Sequence, residues 1–214
     1  MYSYVLFDMD GTILDTLQDL TDAVNYTLRE FGYAEVSLQH CRYALGNGAR
    51  HLMEESVPPE ADIDAMLKVY LPYYNSHCRI KTGPYRGIPN LMRKLKDLGI
   101  TMAVISNKPD AATKELAESF FGDLLDFAVG ESESVKRKPN PDAVLAAIEH
   151  FRAGKDECVY VGDTEVDIET AKNAGIDCIT VGWGFREKED LLTSGAEVFV
   201  TDTDELFQRI AGWY

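Results

Sequence analysis

The sequence predicts an α/β fold, a parallel sheet covered by helices and interrupted after its first strand by an all-helical insertion. Short apolar, β-branched runs alternate with longer amphipathic ones through most of the chain. Gly and Pro punctuate the boundaries between them. From about residue 15 to residue 82 the strand pattern vanishes and only helical patterns follow one another. A chain of 214 residues accommodates a core domain with a smaller insertion better than two full domains. The expected division is a discontinuous core, residues 1–14 and 83–214, and a helical cap, residues 15–82.

Strands are expected at residues 2–7, 100–106, 127–130, 157–162, 177–181 and 197–201, each a short apolar run bounded by turn residues. In the insertion, Leu17, Leu20, Val24, Leu28 and Phe31 recur at helical spacing after Thr16, which is expected to cap that helix. Met66, Leu67, Tyr70, Leu71 and Tyr74 repeat the pattern. Beyond it, Asn140-Pro141 opens a helix with Val144, Leu145, Ile148 and Phe151 on one face, while Gly99 and Gly175 close others. An insertion directly after the first strand is expected to lie over that strand's carboxyl end, where ligands bind in open α/β sheets.

Composition removes several classes of function. Against 21 basic residues stand 36 acidic ones, a net charge of −15 that opposes contact with nucleic acid or an anionic membrane surface. A small anionic substrate stays compatible if the site brings its own cation. No apolar run approaches the roughly 18 residues of a membrane span. The start, Met1-Tyr2-Ser3-Tyr4, lacks a basic leader, so a cytoplasmic protein is expected. Cys41, Cys78, Cys158 and Cys178 form no C-x-x-C and read as reduced thiols. His40, His51, His77 and His150 share no metal-ligand spacing.

The chemistry concentrates where strands end. Asp8-Met9-Asp10-Gly11-Thr12 follows the strand Tyr4-Val5-Leu6-Phe7, so two carboxylates can serve one reacting centre while the glycine lets the backbone turn. A calcium-binding EF-hand is a poor alternative, because its glycine would stand at position 6 and Glu at position 12, where this chain has Asp19. The second strand ends in Ser106-Asn107-Lys108, whose hydroxyl and backbone amides suit a phosphoryl oxygen. Lys136-Arg137-Lys138-Pro139-Asn140-Pro141-Asp142 sets cations before a helix, and Gly162-Asp163-Thr164-Glu165-Val166-Asp167 forms an acidic loop after the fourth strand. Each segment alone has an ordinary reading as a turn, a solvated basic patch or a helix cap. In a parallel sheet, however, all four fall on one rim.

Taken together, these motifs resemble the haloacid dehalogenase superfamily, in its phosphoglycolate phosphatase-like group, over essentially the whole chain. Asp8-Met9-Asp10-Gly11-Thr12 is similar to the first family motif, Ser106 to the second, Lys138 in Lys-Pro-Asn-Pro-Asp to the third, and Gly162-Asp163-(x)3-Asp167 to the fourth. Asp15-Thr16-(x)2-Asp19-Leu20, Gly46-Asn47-Gly48 and Ser106-Asn107-Lys108-Pro109 narrow the likeness to phosphoglycolate phosphatases, although Tyr85-Arg86-Gly87 stands where these have Tyr-Pro-Gly.

The resemblance implies a Rossmann-like core and a Mg²⁺-dependent phosphatase acting on a small phosphorylated metabolite, 2-phosphoglycolate first. It implies Asp8 as nucleophile, Asp10 as general acid and base, and Ser106 and Lys138 around the phosphoryl oxygens. Mg²⁺ would be held by Asp8, the Asp10 carbonyl and Asp163, with Asp167 either binding the metal or holding its water shell. Thr12, Asn107, Asn47 and Arg50 are the expected substrate-binding residues, Arg50 as a bidentate partner for a carboxylate. A pyrophosphatase, a sugar-phosphate phosphatase or a mutase would share the core motifs. A dehalogenase would lack Asp10. A phospho-receiver would carry its Asp after the third strand, and an inactive binding relative would have lost a motif residue.

Overall fold

The computed structural model describes residues 1–212. Strand β1 (Tyr4–Phe7) lies at the middle of a six-stranded sheet, with β4 (Thr101–Pro109) and β5 (Phe127–Glu131) on one side. On the other side lie β6 (Cys158–Gly162), β7 (Asp177–Val181) and β8 (Phe199–Val200). Every pairing in this sheet is parallel. The order β5-β4-β1-β6-β7-β8 reverses direction at β1. It is the doubly wound, Rossmann-like order, and the reversal opens a crevice beyond the carboxyl ends of β1 and its neighbours.

Alternation along each strand sends successive side chains to opposite faces. Val5, Phe7, Met102, Val104, Val159 and Val161 enter one buried cluster, and Leu6, Ala103, Ile105, Cys158 and Tyr160 the other. Helices α5 (Ile88–Asp97) and α10 (Thr203–Ala211) supply Leu91, Leu95, Leu206 and Ile210 to the first cluster. Helices α7 (Asp142–Phe151) and α8 (Glu165–Ala174) cover the second with Val144, Ile148, Ala171 and Ala174. Coverage on both faces explains why these strands read as continuous apolar runs. Helix α6 (Asp110–Phe121) packs against β4 and β5, and α9 (Lys188–Thr193) precedes β8.

Two elements escape the sequence patterns. Strands β2 (Leu14–Asp15) and β3 (Gly83–Pro84) form an antiparallel ribbon pairing Leu14 with Pro84 and Asp15 with Gly83. Two-residue strands carry no periodicity to detect. Between them run only helices: α1 (Leu17–Glu30), α2 (Leu38–Ala44), α3 (Gly48–Glu54) and α4 (Ile63–His77). Helix α1 buries Leu20, Ala23, Val24, Thr27 and Leu28, and α4, packed on it, buries Met66, Tyr70 and Tyr74. Both stripes have helical spacing. Asp19 fastens the return crossing by accepting from the backbone amides of Lys81 and Thr82 at 2.9–3.1 Å.

Local details depart from expectation at two helix starts. Thr16 does precede α1, but its side chain makes no capping bond and its buried Oγ1 has no partner. Asn140 caps α7 from one residue farther out, its Oδ1 accepting from the Asp142 amide at 2.9 Å, so the helix begins after Pro141. Among the described residues, no helix is long and apolar enough to cross a membrane.

Candidate active site

Asp8 is the first residue beyond β1, Asp163 the first beyond β6, and Lys138 arrives in the loop ahead of α7. The register of β4 against β5 shifts between Ile105 and Pro109. An irregularity of this kind re-aims side chains at a strand's end, and Ser106, Asn107 and Lys108 occupy it. Gly130 lets the strands close there, since a Cβ on it would stand 2.4 Å from the Lys108 carbonyl oxygen.

Lys138 is the centre of the buried network. Its Nζ donates to Asp8 Oδ1 and to Asp167 Oδ1, both at 2.7 Å, and to the Tyr160 hydroxyl at 3.1 Å. Burial opposes its charge, but Asp167 and Asp8 outweigh burial and hold the ammonium well above its ordinary pKa. Lys136, by contrast, is exposed. Asp167 Oδ2 accepts from the amides of Asp163 and Thr164 and from the Thr164 hydroxyl at 2.8–3.2 Å, so this one carboxylate both starts α8 and grips Lys138. Asp163 is pressed between two glycines: a Cβ on Gly11 or on Gly184 would come within 2.3 Å of its side chain. Gly11 has φ +87°, the left-handed region that favours glycine.

Asp8, Asp163 and Asp167 each present an oxygen within 4.8 Å of the others. Burial pushes Asp8 well above the usual carboxylate range, against the pull of Lys138 and helped by repulsion from Asp167 and Asp163. Burial and the neighbouring Asp167 push Asp163 up to about 7. When all three carboxylates are ionised they leave, beside one ammonium, two negative charges in excess, the charge of one divalent cation. An all-oxygen donor set, oriented by Thr12, Phe185 and α8, fits a hard cation of that charge.

A cavity of ≈ 50 Å³ opens beside Asp8, Asp10, Ser106 and Lys138 and is roofed by Leu45, Tyr70 and neighbours from the helical segment. Ser106 Oγ accepts from the Lys108 amide at 3.2 Å, which leaves its hydroxyl proton for a ligand. Asp10 Oδ2 lies 3.1 Å from Lys108 Nζ, and its buried Oδ1 has no partner.

Of the four expected substrate contacts, Asn107 lines the cavity while Thr12, Asn47 and Arg50 do not. Thr12 is fully buried and spends its hydroxyl on Asp163 Oδ1 at 2.8 Å, away from the cavity lining. Asn107 lines the cavity, but its Nδ2 donates to the carbonyls of Gly46 and Lys138, and its Oδ1 accepts from the Lys138 amide at 2.6 Å. Its side chain is therefore a tie between the helical segment and the Lys138 loop. Asn47 offers its carbonyl to Arg137 Nη1 at 3.0 Å and does not line the cavity. Arg50 is exposed and turned to Asp64 and Glu54 on the outside of its own segment, because opposite charges there meet without desolvation.

Two residues went unassigned in the sequence. Lys108 is buried at the cavity, and only its place after Ser106-Asn107 hinted at a role. Arg186, also buried, clasps Glu165 through Nε and Nη2 at 2.7 and 2.9 Å and donates to the carbonyls of Arg42 and Leu45. It thereby links the loop after β7 to the helical segment, and nothing in its local sequence marks it.

Residues 5–181 match the family model described as haloacid dehalogenase-like hydrolase. A phosphoglycolate phosphatase of Aquifex aeolicus is 31% identical over 182 residues, covering 85% of each chain. Another from Pseudomonas putida is 28% identical over 216 residues, 97% of this chain and 79% of its own. A crystal structure from Lactobacillus delbrueckii subsp. bulgaricus, provisionally assigned the same activity, superposes with a TM-score of 0.93 at 36% identity, covering 98% of both chains.

Proposed function

Since the chain belongs to the haloacid dehalogenase-like hydrolases and is a phosphoric monoester hydrolase, we propose that it hydrolyses 2-phosphoglycolate with Mg²⁺ through a phosphoaspartate on Asp8. The observation that carries this reading is the pairing of Asp8 Oδ1 with Lys138 at 2.7 Å beside a small cavity. That contact orients the carboxylate, and its other oxygen, Oδ2, is the one left to attack phosphorus. The substrate is supported by the phosphoglycolate phosphatases named above.

In the first step an Asp8 oxygen forms a bond to phosphorus while the ester P–O bond breaks, and Asp10 gives its proton to the departing alkoxide. In the second, Asp10 takes a proton from water as the water oxygen bonds to phosphorus and the bond to Asp8 breaks, releasing phosphate. Two carboxylates are needed because one must face phosphorus and the other the bridging oxygen. The Ser106 hydroxyl donates to a phosphoryl oxygen and Lys138 offsets developing charge, the positioning and electrostatics that dominate phosphoryl transfer. Bound by Asp8, Asp163, Asp167 and the Asp10 carbonyl, Mg²⁺ would neutralise phosphoryl charge. Residues 15–82 act as the cap that closes the cavity from water, and the β2–β3 ribbon is its junction with the core.

Initial rates across phosphoglycolate, pyrophosphate, sugar phosphates and ethyl phosphate test the substrate. Phosphoglycolate is expected to show the highest kcat/KM, and a higher value for pyrophosphate or a sugar phosphate would replace it.

The metal has a separate test in stability. A carboxyl whose folded pKa exceeds its unfolded value, about 3.9, imposes no cost below that value; the cost grows with pH and is complete above the folded pKa. For Asp163 the window runs up to about 7. A cation bound only to the folded chain offsets this cost at high pH, whereas at low pH it must displace the proton. Mg²⁺ is therefore expected to raise Tm more at about pH 8 than at about pH 5.5, and EDTA to reverse the gain. An equal or larger shift at the lower pH, read by scanning fluorimetry, would remove Asp163 as a ligand.

A further inference from the structure

Resting on the phosphoglycolate reading, we propose that Lys108, with Tyr74, is the specificity-determining residue that receives the substrate carboxylate. Two cationic residues line the cavity, Lys138 and Lys108. An ammonium has three donors, and Lys138 spends all three on Asp8, Asp167 and Tyr160. Lys108 Nζ makes two contacts, with the Tyr74 hydroxyl at 2.8 Å and Asp10 Oδ2 at 3.1 Å, which leaves one donor. Its side chain is only 4% exposed.

The rest of the wall makes that donor decisive. Leu20, Leu45, Leu52, Tyr70 and Leu71 line much of the cavity, and a carboxylate pressed against such surface without a charged partner is strongly disfavoured. Position also fits a short substrate. Asp10 serves the bridging ester oxygen, and Lys108 stands 3.1 Å from Asp10, within reach of a carboxylate one carbon from that oxygen. Tyr74 belongs to α4 of the cap, and its ring lies 4.6 Å below the ammonium. Lys108 comes from β4, so the cation that meets the carboxylate is held by core and cap together. Discrimination is thus assigned to a core residue braced by the cap, whereas Arg50 faces solvent.

The experiment compares kcat/KM for 2-phosphoglycolate and for ethyl phosphate, which puts a methyl where the carboxylate stands, in wild type and Lys108→Met. Intrinsic leaving-group differences cancel when the ratio of the two substrates is compared between proteins. The wild-type ratio is expected to favour phosphoglycolate at least tenfold, and Lys108→Met to lower that ratio at least fivefold, whatever happens to either rate alone. The scale is that of one hydrogen bond between charged groups. A ratio that falls less than fivefold while both rates drop makes Lys108 only a brace for Asp10 and overturns the inference, leaving the substrate reading intact. A wild type with no preference for phosphoglycolate overturns the substrate reading itself, and the inference with it. If Lys108→Met does not fold, judged by circular dichroism, Lys108→Gln is held to the same fivefold threshold, since its amide keeps a donor but not the charge.

Discussion

Asp8→Asn is expected to lower kcat more than 100-fold and to abolish a trappable phosphoenzyme. A loss of that size corresponds to more than about 2.7 kcal/mol of barrier. The amide has no nucleophilic oxygen of comparable strength, yet its carbonyl can still accept from Lys138 as Asp8 Oδ1 does at 2.7 Å. Folding should survive for a second reason: burial already penalises the charge on Asp8 and holds its pKa up, so a neutral group removes a cost in the metal-free protein. Circular dichroism and Tm should therefore match or exceed wild type without metal, while rapid-quench trapping finds no acyl phosphate. More than about 1% residual turnover by purified variant would show that Asp8 is not the attacking group.

The next largest effect belongs to Asp10→Asn, where a loss of about 10²- to 10⁴-fold is expected with alkyl phosphates. The substitution should slow both formation and hydrolysis of the phosphoenzyme, because the same side chain gives a proton in one step and takes one in the other. An aryl leaving group needs little protonation, so its first step should suffer much less. Burst kinetics with phosphoglycolate and an aryl phosphate separate the steps, and equal slowing of both bursts would argue against the acid role. Lys108 stays in place beside the amide, 3.1 Å from Asp10 in the native chain, so the comparison isolates proton transfer from loss of a cation.

How much of this was legible in the chain follows from the range of each signal. The longer sheet strands were readable because β1, β4 and β6 are almost wholly buried apolar runs, and the ordered strand at 199–200 falls inside the apolar run expected at 197–201. The ribbon of β2 and β3 was not, since its two-residue strands pair across the whole helical insertion, Leu14 with Pro84. Asp8, Asp163 and Lys138 stood out as strand-end or helix-start groups, and the parallel sheet brings such ends to one rim. Helix α1 was visible in its stripe, but Thr16 was misjudged as a capping side chain. Whether a hydroxyl caps depends on backbone angles set by the neighbouring ribbon.

Strand periodicity, turn chemistry and motif spacing are local quantities, so the α/β class, the family and the acidic residues at the strand ends could be read along the chain. Which polar groups keep hydrogen-bonding capacity near the cavity depends on contacts between distant parts of the chain. Thr12 is taken by Asp163, 151 residues away, Asn107 by Gly46 and Lys138, and Arg50 by Asp64, while Lys108 is carried to Tyr74 with one donor to spare. A side chain's hydrogen-bonding capacity is finite, and long-range packing settles how it is divided. Residue type and position along the chain therefore identify the chemistry, and the fold determines which groups are free to perform it.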